Sequence, residues 1–568
     1  MYKTLKIVNY LTNNRIFLLI FIIICASLFE LVILSLLTPI FNYFSGTSSV
    51  INFLNLESIF EKKIDIKIFL LLFLIIFTIR CFLSILISYN KGKLIKQIND
   101  KLSERIYSNY IKKDFVFFTN NNSSKLISDI IFEVQKFSYG VVDSLLICFT
   151  EIFLILSILI YLLTIYFKEG FLLIIFFLSF FIIFYKYFKV KFQNLGKIKI
   201  EHDTKKLNDL QTSFYIIQNI KLDNLESFFN QKFKISTNQS SKSSFYLQFV
   251  GEAFKPIIEF IVFLIFCTII YIFFIYFKLP KQEIFFMISL FIIGIFRILP
   301  SFNKVFHNLN NFKFNYLTID IIYSKIFEYD VSNIFYQEDI YHKFKFNKVI
   351  EFKNVDFSYS ENKKDNLQNI NIKINKNKII GIFGESGSGK TTLLNLICYL
   401  LKPSAGNIFV DDVPIEKVFK SFQKVIGYVS QRVYLTDDTI INNIILGKEK
   451  IFFNYKLFDE VIKKSGLEST IKTFPLGKDT VIGERGSRLS GGQQQRIGIA
   501  RALYKEPEIL ILDEATSALD VNSEKEIFNV IQTLRNKITI IIVSHKKSIM
   551  EFCDTRFKVE KNNVTEEL

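Results

Sequence analysis

The sequence predicts an all-α membrane domain of six transmembrane helices fused to an α/β domain built on a parallel sheet. Three observations predict it. Six long apolar runs all lie before residue 303. From Ile350 the pattern changes to short β-branched strands, glycine turns and amphipathic helices. A glycine-rich loop at 384–391 joins one such strand to a helix.

Composition supports the first part. The chain has 568 residues, of which 50% are hydrophobic, including 65 Phe and no Trp. Mean hydropathy is +0.31 and the net charge +17. Disorder is excluded by this apolar content. The six runs are Ile16–Phe44, Ile68–Tyr89, Val141–Phe167, Phe171–Phe188, Ile257–Phe277 and Ile284–Phe302. About 20 residues cross a bilayer, so each is long enough to span or nearly so.

Orientation follows from the loops. Residues 90–136 carry nine Lys/Arg and residues 186–256 carry twelve, against five and six acidic residues. The alternate loops are short and almost neutral. Basic loops stay cytoplasmic, so both termini are expected there. Basic residues flanking apolar runs point to a membrane and exclude a nucleic-acid partner. The first apolar run is too long for a signal peptide and no small-residue cleavage site follows it. The six cysteines form no CxxC and the four histidines show no metal spacing; the cysteines read as small hydrophobes.

The two basic loops are too long for turns. Their apolar residues recur at helical spacing, so the spans are expected to continue into the cytoplasm. The turns fall near Asp114–Ser124 and Gln218–Asn224. The expected organisation is a membrane domain over 1–325, a linker over 326–349, and a nucleotide-binding domain over 350–568.

Lys378–Phe383 reads as a buried strand and Thr392–Leu401 as an apolar helix. Between them lie Gly384, Glu385, Ser386, Gly387, Ser388, Gly389, Lys390 and Thr391, the phosphate-loop pattern in its strand–loop–helix context. Glycines let backbone N–H groups curl round phosphate oxygens, and the helix N-terminus adds positive potential. Lys390 would reach the β- and γ-phosphates of ATP, and Thr391 would ligate Mg²⁺. Ile509–Leu512 is apolar at every position, as a central parallel strand must be. It ends in Asp513, suited to Mg²⁺, and Glu514, placed to polarise an attacking water.

Leu489-Ser490-Gly491-Gly492-Gln493 makes the reading family-specific. It resembles the signature of ATP-binding cassette (ABC) ATPases. The resemblance implies that Tyr359 stacks on adenine and that Gln431 senses Mg²⁺ and the membrane domain. It also implies that the Ser517–Asp520 loop crosses a dimer interface with Asp520, and that His545 contacts the γ-phosphate. Gly483–Gly486 resembles an exporter-type element. Thr392, Ser490, Gly491, Gly492 and Gln493 complete the nucleotide-binding set, the signature residues serving the partner's site. One cassette on six spans resembles half of an exporter-type transporter, implying a dimer. Every motif is intact, which favours a homodimer. The two loop turns would then be coupling helices.

Charges within the spans ask for a reason. Glu30 and Arg80 sit about 21 and 18 Å into their spans, from opposite faces, at 1.5 Å per residue. One reading is a structural ion pair. The other is a basic cavity in which Arg80 and Arg297, helped by Lys255 and Lys304, hold a pyrophosphate. Leu28–Leu31 and Phe296–Asn303 resemble the flippase family of bacterial protein N-glycosylation. That resemblance implies a polyprenyl-diphosphate-linked glycan as cargo, membrane lipids as surroundings, the bacterial inner membrane as location, and an outer helix near 49–57. The outer helix reads equally as a tail contact or a simple interfacial helix. Other cargoes (lipid A, a drug, a peptide) and an ATP-gated channel or regulator are the alternatives.

Overall fold

The structure is a computed structural model. It describes residues 2–12, 15–45, 66–165, 167–272, 281–328, 344–359, 367–447, 453–515, 521–560 and 562–567. The outer helix expected near 49–57 and the loop residue Asp520 lie outside the described residues. The chain divides into two compact units, Met1–Lys113 with Asn121–Val331, and Asp114–Asn120 with Ser332–Leu568.

The first unit is all helix. A short amphipathic helix α1 (Tyr2–Thr12) buries Ile7, Val8 and Leu11. It was not foreseen in the sequence. Lys101 donates to the carbonyl of Leu11 and ties its end to the next long helix but one. The long helices are α2 (Arg15–Ser45), α3 (Ile66–Ile111), α4 (Asp143–Ile165), α5 (Phe167–Tyr215), α6 (Glu226–Ile272) and α7 (Lys281–Phe314). Three windows among the described residues meet a membrane-span criterion of length and hydropathy: Ile16–Ile33, Leu71–Ile111 and Ser123–Thr164.

Several helices outrun the apolar runs, as expected of helices that leave the bilayer. α3 continues past Tyr89 to Ile111, and α5 continues past Phe188 to Tyr215. Ahead of α4, Asp129–Glu133 and Lys136–Val142 are π-helical. Short helices occupy both expected turns, at Phe115–Asn120 and Ile217–Leu222. Pro256 and Pro300 sit inside α6 and α7. Pro300 has no N–H for the carbonyl of Phe296 four residues back.

The extensions are held by polar contacts. Asp129 accepts from Tyr110 at 2.6 Å and pairs with Lys325 at 3.4 Å. Glu133 accepts from Lys136 at 2.8 Å and from Thr318 at 2.9 Å. Asp203 takes Ser240 at 2.6 Å and Lys136 and Lys206 at 3.3 Å. Burial pushes the Asp203 carboxyl up, but Ser240 and the surrounding lysines outweigh it and hold it below the usual range. Gly196 lets α5 lie against the end of α7. A Cβ there would collide with the backbone carbonyl of Phe314.

The second unit carries two sheets. The larger has the order β10-β9-β3-β8-β7-β6, where β3 is Ile379–Phe383, β6 Ile426–Val429, β7 Ile509–Asp513, β8 Thr539–Val543, β9 Thr555–Glu560 and β10 Asn563–Glu567. Its strands are parallel except the β9–β10 hairpin. β3, β7 and β8 are buried at nearly every position, as a sheet covered on both faces requires. The smaller sheet is antiparallel, of order β2-β1-β4-β5, with β1 at Val349–Phe357, β2 at Leu367–Asn375, β4 at Ala405–Val410 and β5 at Val413–Pro414. Ahead of the expected start at Ile350, Phe346 is fully buried in this core and Phe344 packs against it. At the other end of the linker expected over 326–349, Ile326 is buried in the helical unit. The linker's middle, 329–343, lies outside the described residues. Residues 114–120 belong with this unit, where Val116 packs on the same core.

Gly196→Ala is expected to destabilise the helical unit by about 1–3 kcal/mol, since a backbone carbonyl cannot swing aside as a side chain can. A lowered thermal unfolding midpoint of the full-length protein checks this; an unchanged midpoint refutes the close approach.

Candidate functional site

β3 delivers the chain into the glycine-rich loop, and helix α8 (Lys390–Ile397) leaves it. The expected helix Thr392–Leu401 thus starts two residues earlier and ends at Ile397. Gly384 has φ +154°, and a Cβ on it would strike the carbonyl of Val559. Glycine is therefore required where β3 turns. Lys390 is buried, and its Nζ donates to the carbonyls of Gly384 (2.9 Å) and Glu385 (2.8 Å). Burial lowers its pKa, opposed by Glu514 and Asp513 nearby. Ser388 Oγ is buried with no hydrogen-bond partner among the described residues. Glu385, Ser386, Gly387 and Thr391 are exposed, and Gly389 caps the helix in left-handed geometry.

These residues fit a nucleotide phosphate and its metal. An orphaned hydroxyl in a loop of turned-in N–H groups is what a phosphate oxygen would satisfy. Lys390 would exchange two carbonyls for phosphate oxygens, while Thr391 and Asp513 would hold Mg²⁺. Tyr359, half-exposed, hydrogen-bonds through its hydroxyl to the Thr392 hydroxyl at 3.3 Å. Its ring stands beside the loop's helix.

β7 ends at this loop. Asp513 is buried and accepts a hydrogen bond from Tyr428 on the neighbouring strand β6 at 2.9 Å. Burial raises the Asp513 carboxyl, the Tyr428 hydrogen bond and Lys390 oppose this, and Glu514 adds to it. Glu514 has φ +46°, a conformation uncommon outside glycine. Gln431 donates to one of its carboxylate oxygens at 2.7 Å, and His545 Nε2 lies 3.1 Å from the other. The three residues expected to carry hydrolysis therefore meet in one place. Tyr428 was not among the site residues expected from the sequence. Its signal was a tyrosine in an otherwise apolar strand beside the carboxylate strand.

The signature is a helix start. Ser490 caps Gly491–Leu503, accepting from Gln493 N while the Gln493 side chain accepts from Ser490 N. Ser490 and Gly491 are exposed, leaving N–H groups of a long helix open to an anion. Gln495 donates to the carbonyl of Gln431 at 2.8 Å, linking this helix to the hydrolytic group.

Comparison with known proteins decides the family. A profile described as "ABC transporter transmembrane region" matches residues 16–299, half of the chain, and one described as "ABC transporter" matches residues 367–517. The chain belongs to the ABC transporter family. A bacterial Atm1-family ABC exporter, solved with ATP bound, shares the fold with TM-score 0.77 at 18% identity, over 97% of this chain and 95% of that one. An ATP-dependent lipid A-core flippase of Wigglesworthia glossinidia brevipalpis is 39% identical over 218 residues, and one of Coxiella burnetii is 39% identical over 219. Each of these alignments covers 38% of this chain and 37% of the relative. The fold is a helical transmembrane region fused to an ABC ATPase domain.

The helical unit of this ABC chain holds a charged cavity of 450 Å³, lined by residues that include Glu30, Arg80, Glu151, Arg297 and Lys304. Glu30 is buried and accepts from Arg80 Nε at 2.6 Å and from Arg297. Lys304 pairs with Glu151 at 2.7 Å. The ion pair read from the sequence is present, and it has a second arginine. Three of the four expected cations thus meet at one cavity, each held by a carboxylate. Lys255 does not join them. It is exposed, approaches Glu259 at 4.0 Å, and lines a separate apolar groove. One turn of α6 separates those two residues, so the lysine has its own local partner.

Tyr428→Phe is expected to raise the Asp513 pKa further, because the donor that favours the carboxylate is lost. The acid limb of the ATPase pH profile should move to higher pH. An unshifted limb with normal folding would show that Tyr428 leaves Asp513 alone.

Proposed function

We propose that two copies of this chain form an ATP-driven flippase that moves a polyprenyl-diphosphate-linked oligosaccharide across the bacterial inner membrane. The observation that carries this reading is the grouping of Arg80, Arg297 and Lys304 at one cavity within the membrane domain. Guanidinium groups bind two phosphate oxygens at once, and symmetry in a homodimer doubles each charge about one pathway. The intact motifs around Glu514 support two equivalent working sites. In each, Ser490 and Gly492 would complete the phosphate contacts made by the partner's Lys390. Glu514 would act as general base, held by Gln431 and His545.

A second reading is lipid A export, favoured by the printed names of the relatives in Wigglesworthia and Coxiella. Those alignments leave most of the chain uncovered, so they bear little on cargo. Both lipids carry phosphate, and the basic cavity suits either.

Reconstitution in liposomes separates the two readings. Outer-leaflet exposure of polyprenyl-diphosphate glycan, without exposure of lipid A, is the expected result; the reverse would overturn the first reading. Arg80→Ala and Arg297→Ala should impair flipping more than hydrolysis, and wild-type rates of flipping in both variants would sink the cavity assignment. Glu514→Gln should lower hydrolysis by about 10²–10⁴-fold while ATP still binds, measured as phosphate release beside nucleotide binding.

A further inference from the structure

A second cavity of 760 Å³ lies between α6 and α7. Val262, Phe263, Ile292, Ile295, Phe296 and Leu299 make most of it apolar, while Asn303 and the Lys255–Glu259 pair supply its polar lining. Between Ile292 and Asn303 the helix rises about 16 Å at 1.5 Å per residue, so the groove is elongated. Two observations say what it takes. Both side-chain atoms of Asn303, Nδ2 and Oδ1, are buried without a hydrogen-bond partner among the described residues. An unpaired buried amide is costly, and a polar ligand group would relieve that cost. Second, Phe296 and Pro300 line both this groove and the charged cavity. Asn303 lines the groove while its neighbour Lys304 lines the charged cavity. The apolar groove and the phosphate-suited cavity are therefore neighbours across one face of α7.

We infer that this groove holds the prenyl chain of a lipid whose diphosphate occupies the charged cavity, with Asn303 and Lys255 at the junction of chain and head group. The inference rests on the flippase reading and gives its cargo's tail a path. A groove between one pair of helices takes one chain. A polyprenyl diphosphate has one, whereas a lipid A carries several acyl chains, so the prenyl chain is the occupant. Asn303 would donate to a phosphate oxygen and Lys255 would add charge. Phe296, 77% exposed in this chain, would be covered by the bound chain.

The test uses full-length protein in phosphatidylethanolamine–phosphatidylglycerol nanodiscs, with ADP saturating the cassettes. Binding of geranylgeranyl diphosphate, which fills the groove, is compared with that of dimethylallyl diphosphate, which is too short to fill it. Leu299→Trp should weaken the long-chain ligand by about tenfold or more, the scale of losing a few buried methylenes, and leave the short one unchanged. Asn303→Ala should weaken the long-chain ligand as well. Retained ADP binding and an unchanged melting temperature certify folding, and Leu299→Phe serves if the tryptophan variant fails it. Unchanged long-chain binding in Leu299→Trp and Leu299→Phe overturns the groove. If Arg80→Ala still weakens both ligands in that case, the flippase reading stands; if no arginine variant weakens either, that reading falls too. Competition by lipid A but not by undecaprenyl diphosphate overturns the prenyl assignment. Disulfide formation between two Leu299→Cys chains would show the groove to be filled by a second copy, and overturns it likewise.

Discussion

A charge removed from water has to find its partner inside the protein. At the bilayer centre an unpaired one costs about 2.5–3.5 kcal/mol on insertion scales, and more in a fully apolar setting. Glu30 shows how this shapes the helical unit. It lies on α2 and is buried, so Arg80 of α3 and Arg297 of α7 must converge on it. Three helices from distant parts of the chain are thereby fixed in rotation. Lys304 with Glu151 does the same for α7 and α4, and Lys91 with Asp143, 3.0 Å apart, for α3 and α4. Apolar side chains alone give no such direction, because lipid is as apolar as leucine. Outside the bilayer Asp129, Glu133 and Asp203 repeat the device with lysines and hydroxyls. There the partners come from the helical extensions rather than from the spans.

The cassette obeys the same constraint for a different end. Asp513 and Glu514 follow a strand with no exposed position, so the two carboxylates leave the core at a fixed point. Tyr428 keeps Asp513 from rising further, and Gln431 with His545 holds Glu514. Lys390 is parked on two carbonyls rather than on either carboxylate. Apart from the orphaned Ser388 hydroxyl, the charged groups here are satisfied by contacts that phosphate or metal can replace. A phosphate site that paired Lys390 with Asp513 would have to break a salt bridge before binding.

Local grammar made much of this legible. The strand–loop–helix around Lys390 reads directly from glycine spacing and apolar runs, and both turn positions follow from helical periodicity. What stayed hidden depends on partners far along the chain. The Tyr428–Asp513 bond joins residues 85 apart, Lys304–Glu151 joins residues 153 apart, and Arg297–Glu30 joins residues 267 apart. No local pattern announces them. The α1 helix was missed because it is only eleven residues long and its buried face exists only against other helices. Phe346 precedes any strand, so no strand pattern announces that it fills the core. Lys255 was grouped with Lys304 by likeness to a motif, but its place on α6 faces a different cavity.

The pairing in the membrane cavity has a consequence for selectivity. Arg80 and Arg297 share one carboxylate, so any incoming anion competes with Glu30. An anion of single charge would exchange one carboxylate for another of equal worth, and would also have to be stripped of water. Such a ligand has nothing to gain. A diphosphate would bring more than one negative charge and several acceptor oxygens, enough to engage both guanidinium groups while they still neutralise Glu30. The cavity's acidic residues then act as a threshold rather than as a defect in a basic site. On the flippase reading they would disfavour weakly charged lipids such as phosphatidylglycerol and favour a lipid of higher charge. Specificity of this kind is a difference between two affinities, and the competing partner is built into α2.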